Sequence, residues 1–273
     1  MKITKKYYLS ALLVLSLFLA ACGRSAADET PVVKLGVVGE EQDVWEFVAD
    51  KLAKENITLE LVKLTDYTQP NTALAEGEID LNSFQHQIFL DTYNAESGND
   101  LVTIGKTYIA PLGLYSNDLT SIDEVKEKDV VAIPNDVTNG GRALLLLQTA
   151  GLLTVDPAAG TTPTVNDITE NPLDLEIKEL DAAQTARSLP DVAISVINSG
   201  MAVDAGFIPT EDAVFLEPVD EKSDPYINII VANSEDAEND IYQKVVKAYQ
   251  AEDTKEVIAE TSKGSSVPAW DEN

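Results

Sequence analysis

The sequence predicts an α/β protein of two lobes with a ligand cleft between them, on three observations. Apolar, strand-like runs alternate with segments of helical periodicity from residue 32 onward. That rhythm pauses near residue 110 and begins again near residue 130. A last apolar run at 226–232 and two further helical segments follow the second series, so the chain can return to its first lobe. A length of 273 residues suits one large domain or two lobes of roughly 100–150 residues each.

Val32 to Val38 is a near-continuous apolar strand. Val44, Phe47, Val48 and Leu52 then fall at the i, i+3, i+4 and i+8 spacing of one helix face. In the strand from Ile57 to Leu64, Ile57, Leu59 and Leu61 alternate with Thr58 and Glu60. Asn71 to Glu76 reads as a short helix stopped by Gly77, before a short strand at Ile79–Leu81. A helix over His86–Ala95 and a strand over Leu101–Ile109 complete the series. This β-α-β-α-β-α-β order points to a mostly parallel sheet covered on both faces.

The second series opens with a strand at Val130–Ile133, and Gly140-Gly141 open a helix that runs to Ala150. A Pro/Thr/Gly-rich connection at 156–163 leads to a strand at Leu175–Leu180. A short helix at Thr185–Ser188, a strand at Val192–Ile197 and a helix at Met201–Ala205 follow. Tyr226–Ala232 is the late strand, with helices near Ile241–Ala251 and Thr254–Thr261. The expected division is residues 32–110 for the first lobe, 111–228 for the second and 229–273 for the return, with crossings near Tyr108–Tyr115 and Glu217–Asn228. Ligands of open α/β sheets bind beyond the carboxyl ends of the strands, which places function in the cleft.

Ahead of this domain, Lys2, Lys5 and Lys6 precede an uncharged run from Leu9 that ends in Leu19-Ala20-Ala21-Cys22. A basic start, a short apolar core and small residues before a cysteine mark residues 1–21 as a lipoprotein signal peptide, with Cys22 as the lipidated first residue of the mature chain. The apolar run is shorter than the roughly 20 residues of a spanning helix. Residues 22–31 read as a flexible tether to the extracytoplasmic face of the cell membrane.

The chain carries 19 basic and 47 acidic residues, a formal charge of −28. Loss of residues 1–21 removes three lysines and takes the charge to −31. That argues against nucleic acid or an anionic lipid surface as the main partner. Cys22 is the only cysteine, so the mature domain has no disulfide, and His86 is the only histidine. A histidine-based metal site is excluded on that count. No HExxH motif, GxSxG elbow, P-loop or GxGxxG is present. With so many carboxylates no acid/base pair stands out, so neither catalysis nor a cofactor is implied. A monomeric solute-binding protein is the leading expectation.

Longer segments carry a more specific signal. They are Thr65–Asp91 (TDYTQPNTALAEGEIDLNSFQHQIFLD), Ile133–Leu147 (IPNDVTNGGRALLLL), Asn171–Val192, Asp224–Asn233 (DPYINIIVAN) and Lys263–Trp270 (KGSSVPAW). Together they closely resemble the NlpA-type lipoproteins, substrate-binding components of methionine ABC importers, over about 34–270. The resemblance implies a type-2 periplasmic-binding-protein fold. It also implies capture of L-methionine for a membrane permease and its ATPase, without a catalytic role. Other ligands within the class are D-methionine, a methionine-containing dipeptide or another apolar amino acid; an extracytoplasmic enzyme and an adhesin are the alternatives from other classes.

The resemblance also assigns residues. Arg142 is the carboxylate clamp, and its expected place at a helix opening suits an anion. Arg187 is expected to be structural. Asn198 and Asn228 hold the amino-acid backbone, since an amide both donates and accepts; Asn198 on its own also reads as a helix cap before Met201. Tyr67, Phe84, His86 and Phe89 match an aromatic pocket, although Phe84 and Phe89 alone read as core and His86 as a structural histidine. Aromatic walls suit a thioether, at about 0.3–1.5 kcal/mol per sulfur–aromatic contact. The family's usual Tyr, Pro and Tyr are replaced here by Ser83, Ile88 and Phe89, and the loop Gly39-Glu40-Glu41-Gln42 places two acids near the cleft mouth.

Overall fold

The computed structural model describes residues 30–40 and 42–270. The signal peptide, Cys22, Glu41 and most of the tether lie outside the described residues. Among those described, no helix is long and apolar enough to cross a membrane.

Two sheets organise the chain. The first contains β1 (Val32–Val38), β2 (Thr58–Leu64), β3 (Leu81–Asn82), β4 (Val102–Ile109), β12 (Ile227–Ala232) and β13 (Val267–Pro268), in the order β13-β4-β12-β3-β1-β2. The second contains β5 (Gly113–Tyr115), β6 (Val130–Pro134), β9 (Glu176–Leu180), β10 (Ile194–Ile197) and β11 (Phe215–Leu216), in the order β11-β5-β10-β6-β9. A small hairpin of β7 (Thr154–Val155) and β8 (Ile168–Glu170) lies within the segment that joins β6 to β9.

The sheets are mixed, which corrects the expectation of a mostly parallel one. β2, β1 and β3 run parallel, in the register Val32↔Thr58 through Val38↔Leu64. β12 then enters antiparallel between β3 and β4, and β13 adds antiparallel to β4. The returning chain takes a central place in the first sheet, so β4 pairs with β12 instead of β1 or β3. Its pairing begins at Ile227↔Ile109, two residues before the expected return at 229. In the second sheet β10, β6 and β9 are parallel, and β5 pairs antiparallel with β10 on one side and with β11 on the other.

Each sheet has its own core. Leu35, Val37, Val48, Leu52 and Ile230 are fully buried in the first, where Trp45 of the helix Asp43–Ala53 packs at a tilt against Tyr249, with ring centroids 4.5 Å apart. Val131, Leu144, Leu147, Ile194 and Val196 fill the second. Each such side chain contributes about 1.5–3 kcal/mol of burial. A further cluster of Tyr115, Leu189, Ile197, Met201 and Ala202 receives Val38 and Tyr67 from the other side of the cleft.

The helix Val137–Thr149 starts earlier than expected. Asp136 caps it, with its side chain accepting from the Asn139 N–H, and Gly140 N–H already bonds to Asp136 O at 2.8 Å. The two glycines serve close packing: a Cβ at Gly140 would sit 2.8 Å from Pro134 O, and one at Gly141 2.7 Å from Thr162 Cα. Arg142 therefore lies in the second turn, away from the free N–H groups of the helix start.

Candidate functional site

Two crossings, 110–112 and 217–226, join strands of one sheet to strands of the other. Beside them lies a cavity of about 230 Å³ lined from both sides. Pockets for drug-sized ligands run to roughly 300–1,000 Å³, so this one suits a smaller solute. Tyr67, Phe84, His86, Phe89, Arg142, Asn198 and Asn228 all line it. Ser83 is also at its wall.

The aromatic side is built by the segment after β3. Asn71, Asn82 and Gln85 are buried and bonded side chain to side chain: Asn71 Nδ2 to Gln85 Oε1 at 2.8 Å, Gln85 Nε2 to Asn82 Oδ1 at 3.0 Å, and Asn82 Nδ2 to Asn71 Oδ1 at 2.9 Å. Ile229 N–H donates to Gln85 O at 2.9 Å, and His86 pairs with Asn228 as an isolated antiparallel bridge. The amide network thus fixes the turn that aims Phe84 and His86 into the cavity. Ring centroids lie 5.9 Å apart for Tyr67–Phe84, 5.7 Å for Phe84–Phe89 and 6.3 Å for Tyr67–Phe89. Burial pushes the Tyr67 hydroxyl up, reinforced by the charges of Asp136 and Asp204, so it remains a neutral donor and acceptor.

His86 caps the helix Gln87–Ser97, its Nδ1 accepting from Phe89 N–H at 3.3 Å. With Nδ1 an acceptor, the neutral ring carries its proton on Nε2, which is buried without a hydrogen-bond partner. Burial holds the ring's pKa down to about 3; the Arg142 charge acts in the same direction and the neighbouring Asn139 amide against both. His86 is uncharged at neutral pH.

The polar side comes from the second sheet's helices. Arg142 is 4% exposed, so its charge must be met locally. Its Nε donates to Glu217 Oε1 at 3.0 Å, and its Nη2 donates to Glu217 Oε2 and to Ala110 O at 3.0 Å. Its guanidinium carbon lies 4.3 Å from the Tyr226 ring centroid. Nη1 forms no hydrogen bond among the described residues. Asn198 stands at the N-cap position of the helix Ser199–Asp204, but its side chain does not cap it. Its Nδ2 donates instead to Asn139 Oδ1 at 2.8 Å, and its Oδ1 is buried without a partner. Asn228 is half-buried, and its side chain makes no hydrogen bond among the described residues.

Sequence reasoning missed Asn139, Glu217 and the Asn71–Asn82–Gln85 network. The Asp136-x-x-Asn139 spacing at a helix start was the one available signal, and Glu217 had none. Arg187 is exposed in the turn Ala186–Asp191 and forms no ion pair among the described residues, contrary to the structural role expected of it. Among the described residues, no group of three or more His, Cys, Asp or Glu could hold a metal ion.

Two lobes, two crossings and a small cavity with an aromatic wall facing unpartnered polar atoms define a substrate-binding protein of the two-lobed periplasmic type. The NlpA lipoprotein profile matches residues 33–270, and the chain belongs to that family. It is 44% identical over 273 residues to the probable D-methionine-binding lipoprotein MetQ of Vibrio cholerae, covering 97% of this chain and 100% of that one. Among solved structures it resembles a nutrient-binding protein from Burkholderia cenocepacia bound to methionine, with TM-score 0.83 and 43% identity over 87% of this chain and 100% of that one. The substrate-binding protein of a methionine transporter from Streptococcus pneumoniae gives TM-score 0.83 and 42% identity, over 88% and 96%.

Proposed function

We propose that this protein captures L-methionine in the cleft and delivers it to an ABC permease powered by its ATPase, without catalysis. The observation that carries this is the pairing, in one cavity, of the Tyr67–Phe84–Phe89 wall with polar atoms of both kinds that make no hydrogen bond among the described residues: buried Asn198 Oδ1 as acceptor and buried His86 Nε2 as donor, with Arg142 Nη1 as a further donor. The acceptor suits an α-ammonium, the donors an α-carboxylate and the aromatic wall a thioether. Asn228 supplies a further amide. Relatives named as D-methionine-binding support the same ligand skeleton and make the D-enantiomer the second reading.

In this reading the lobes move about the crossings as a hinge, closing on the solute and opening at the permease. Lipidation at Cys22 holds the monomeric domain at the extracytoplasmic face of the cell membrane. Cys22→Ala blocks processing of the precursor, and an unmodified Cys22 on the mature wild-type chain, read by mass spectrometry, refutes the anchor. Calorimetry on the ligand-stripped domain tests the ligand. L-methionine ranks above leucine and far above glutamate or lysine. Preference for a charged amino acid overturns the assignment, and preference for D-methionine or a dipeptide replaces the ligand within the same site.

A further inference from the structure

We infer that Asp136 and Asn139 are positioning residues that lock the amide of Asn198 with its oxygen toward the cavity, so that the site demands a hydrogen-bond donor, an α-ammonium, at that point. The inference rests on the amino-acid reading above and adds what enforces the polarity.

Which hydrogen bonds can be satisfied together decides the orientation of each amide. A carboxylate only accepts hydrogen bonds, whereas an amide side chain donates at one end and accepts at the other. Asp136 accepts from Asn139 twice over. Its Oδ1 takes the Asn139 backbone N–H at 2.9 Å, and its two oxygens take Asn139 Nδ2 at 3.0 and 3.1 Å. Asn139 must therefore turn its Nδ2 toward Asp136 and its Oδ1 the other way. Asn139 Oδ1 then meets Asn198 and accepts from its Nδ2 at 2.8 Å. Rotating the Asn198 amide alone would set two carbonyl oxygens against each other. Rotating both would set Asn139 Oδ1 against the Asp136 carboxylate. The only arrangement without such a conflict leaves Asn198 Oδ1 free, and that atom is buried, lacks a partner and belongs to a side chain lining the cavity.

A buried acceptor with no donor is costly, and the residue is only 9% exposed. The bound ligand is the group that relieves it. The negative charge of Asp136 also polarises the chain of amides in the direction that makes Asn198 Oδ1 a stronger acceptor. Asp136 does not itself line the cavity, so it acts at a distance through Asn139. The donor side is supplied separately by His86 Nε2 and Arg142, which gives the solute one orientation: ammonium toward Asn198, carboxylate toward the donors.

The test compares three ligands on stripped protein by calorimetry: methionine, its analogue lacking the α-amine, and methioninol, which lacks the carboxylate. The variants are Asn139→Ala and Asp136→Ser; serine preserves a good helix cap while removing the second acceptor oxygen. Wild type binds methionine far more tightly than the desamino analogue. Each variant weakens methionine and methioninol by about tenfold or more, the cost of one charge-assisted hydrogen bond, and leaves the desamino analogue within a fewfold. The amine selectivity therefore collapses. If all three ligands weaken together, Asp136 and Asn139 serve only folding and the inference fails. If wild type binds none of the three, the amino-acid reading itself fails and takes this one with it. A readout independent of ligand is the Asn198 side-chain amide in NMR: its Nδ2 protons are protected from exchange in wild type and lose protection in Asp136→Ser. Unprotected protons in wild type also overturn the lock.

Discussion

Arg142 and Glu217 stand 75 residues apart and are joined by two hydrogen bonds, Nε to Oε1 and Nη2 to Oε2. Glu217 Oε2 also accepts from Leu112 N–H at 2.9 Å, and Arg142 donates to Ala110 O, so the pair binds both crossings together. Arg142 thus ties the two crossings together, which its expected role as carboxylate clamp did not include. Much of its charge is already met by Glu217, and Nη1 is what it has left to offer a ligand.

That geometry separates two variants. Truncating one partner of a buried charge pair costs about 2–5 kcal/mol, so Arg142→Ala weakens methionine binding by roughly 30-fold to several thousand-fold. It also lowers stability, because Glu217 loses its partner. Arg142→Lys recovers part of the loss, since an ammonium keeps the charge without the planar fork. Glu217→Gln removes the competing charge but keeps an acceptor of the same shape. It therefore binds methionine as well as wild type or better while melting at lower temperature. If Glu217→Gln instead loses as much affinity as Arg142→Ala, in calorimetry with melting curves, Arg142 acts through the hinge and the carboxylate is held elsewhere.

His86 predicts a specific acid sensitivity. Its folded pKa lies near 3 and its unfolded value near 6.5. Above pH 6.5 both states are neutral and the ring contributes no pH dependence. As pH falls below 6.5 the unfolded chain takes up the proton first, so stability declines toward pH 3 by at most about 1.4 kcal/mol per pH unit. His86→Asn keeps a capping side chain without titrating. Urea melts at pH 7, 5.5 and 4 should show a smaller decline for the variant. Equal declines would place the acid sensitivity in other groups.

Much of this fold was legible because its long elements have strong periodicity. β1 was read to its residue limits, the helix at 43–53 fell where its apolar spacing placed it, and the late helix at 240–249 lies close to the expected 241–251. The failures have physical causes. β7, β11 and β13 are two residues long, below the reach of any period. Strand order along the chain does not reveal that β12 would enter antiparallel between β3 and β4. At the site, Gly140-Gly141 suggested a helix start, whereas Asp136 supplies the cap and the glycines answer to close backbone packing. Glu217 was one of 47 acidic residues, and only folding brings it to Arg142.

The buried amide network predicts a stability cost that reaches the site. Gln85→Leu preserves approximate volume but strands polar groups of Asn71 and Asn82 in a region excluded from water. Each stranded group costs about 1–3 kcal/mol. Denaturant unfolding of the unliganded domain should show a loss in that range. Methionine affinity should fall as well, because Phe84 and His86 flank the altered residue. A variant as stable as wild type would mean that the network contributes nothing beyond its volume.

Gly39 and Asp204 meet across the cleft mouth, where Glu40 N–H donates to Asp204 Oδ1 at 3.1 Å. Gly39 has φ +97°, a conformation that side chains rarely adopt, and a Cβ there would lie 2.3 Å from Asp204 Oδ2. Gly39→Ala therefore carries two penalties, backbone strain and a clash that exists only while the lobes are in contact at this point. The clash acts on closure, so it should speed methionine release more than it slows association. Asp204→Ala removes the carboxylate and with it the clash, at the cost of the bond to Glu40. In the double variant the two losses are less than additive, because the alanine at 39 no longer meets the carboxylate. Stopped-flow release rates for the wild type, both single variants and the double variant measure this directly. Strict additivity would show that Gly39 serves only the turn, and that the contact with Asp204 plays no part in holding the cleft shut.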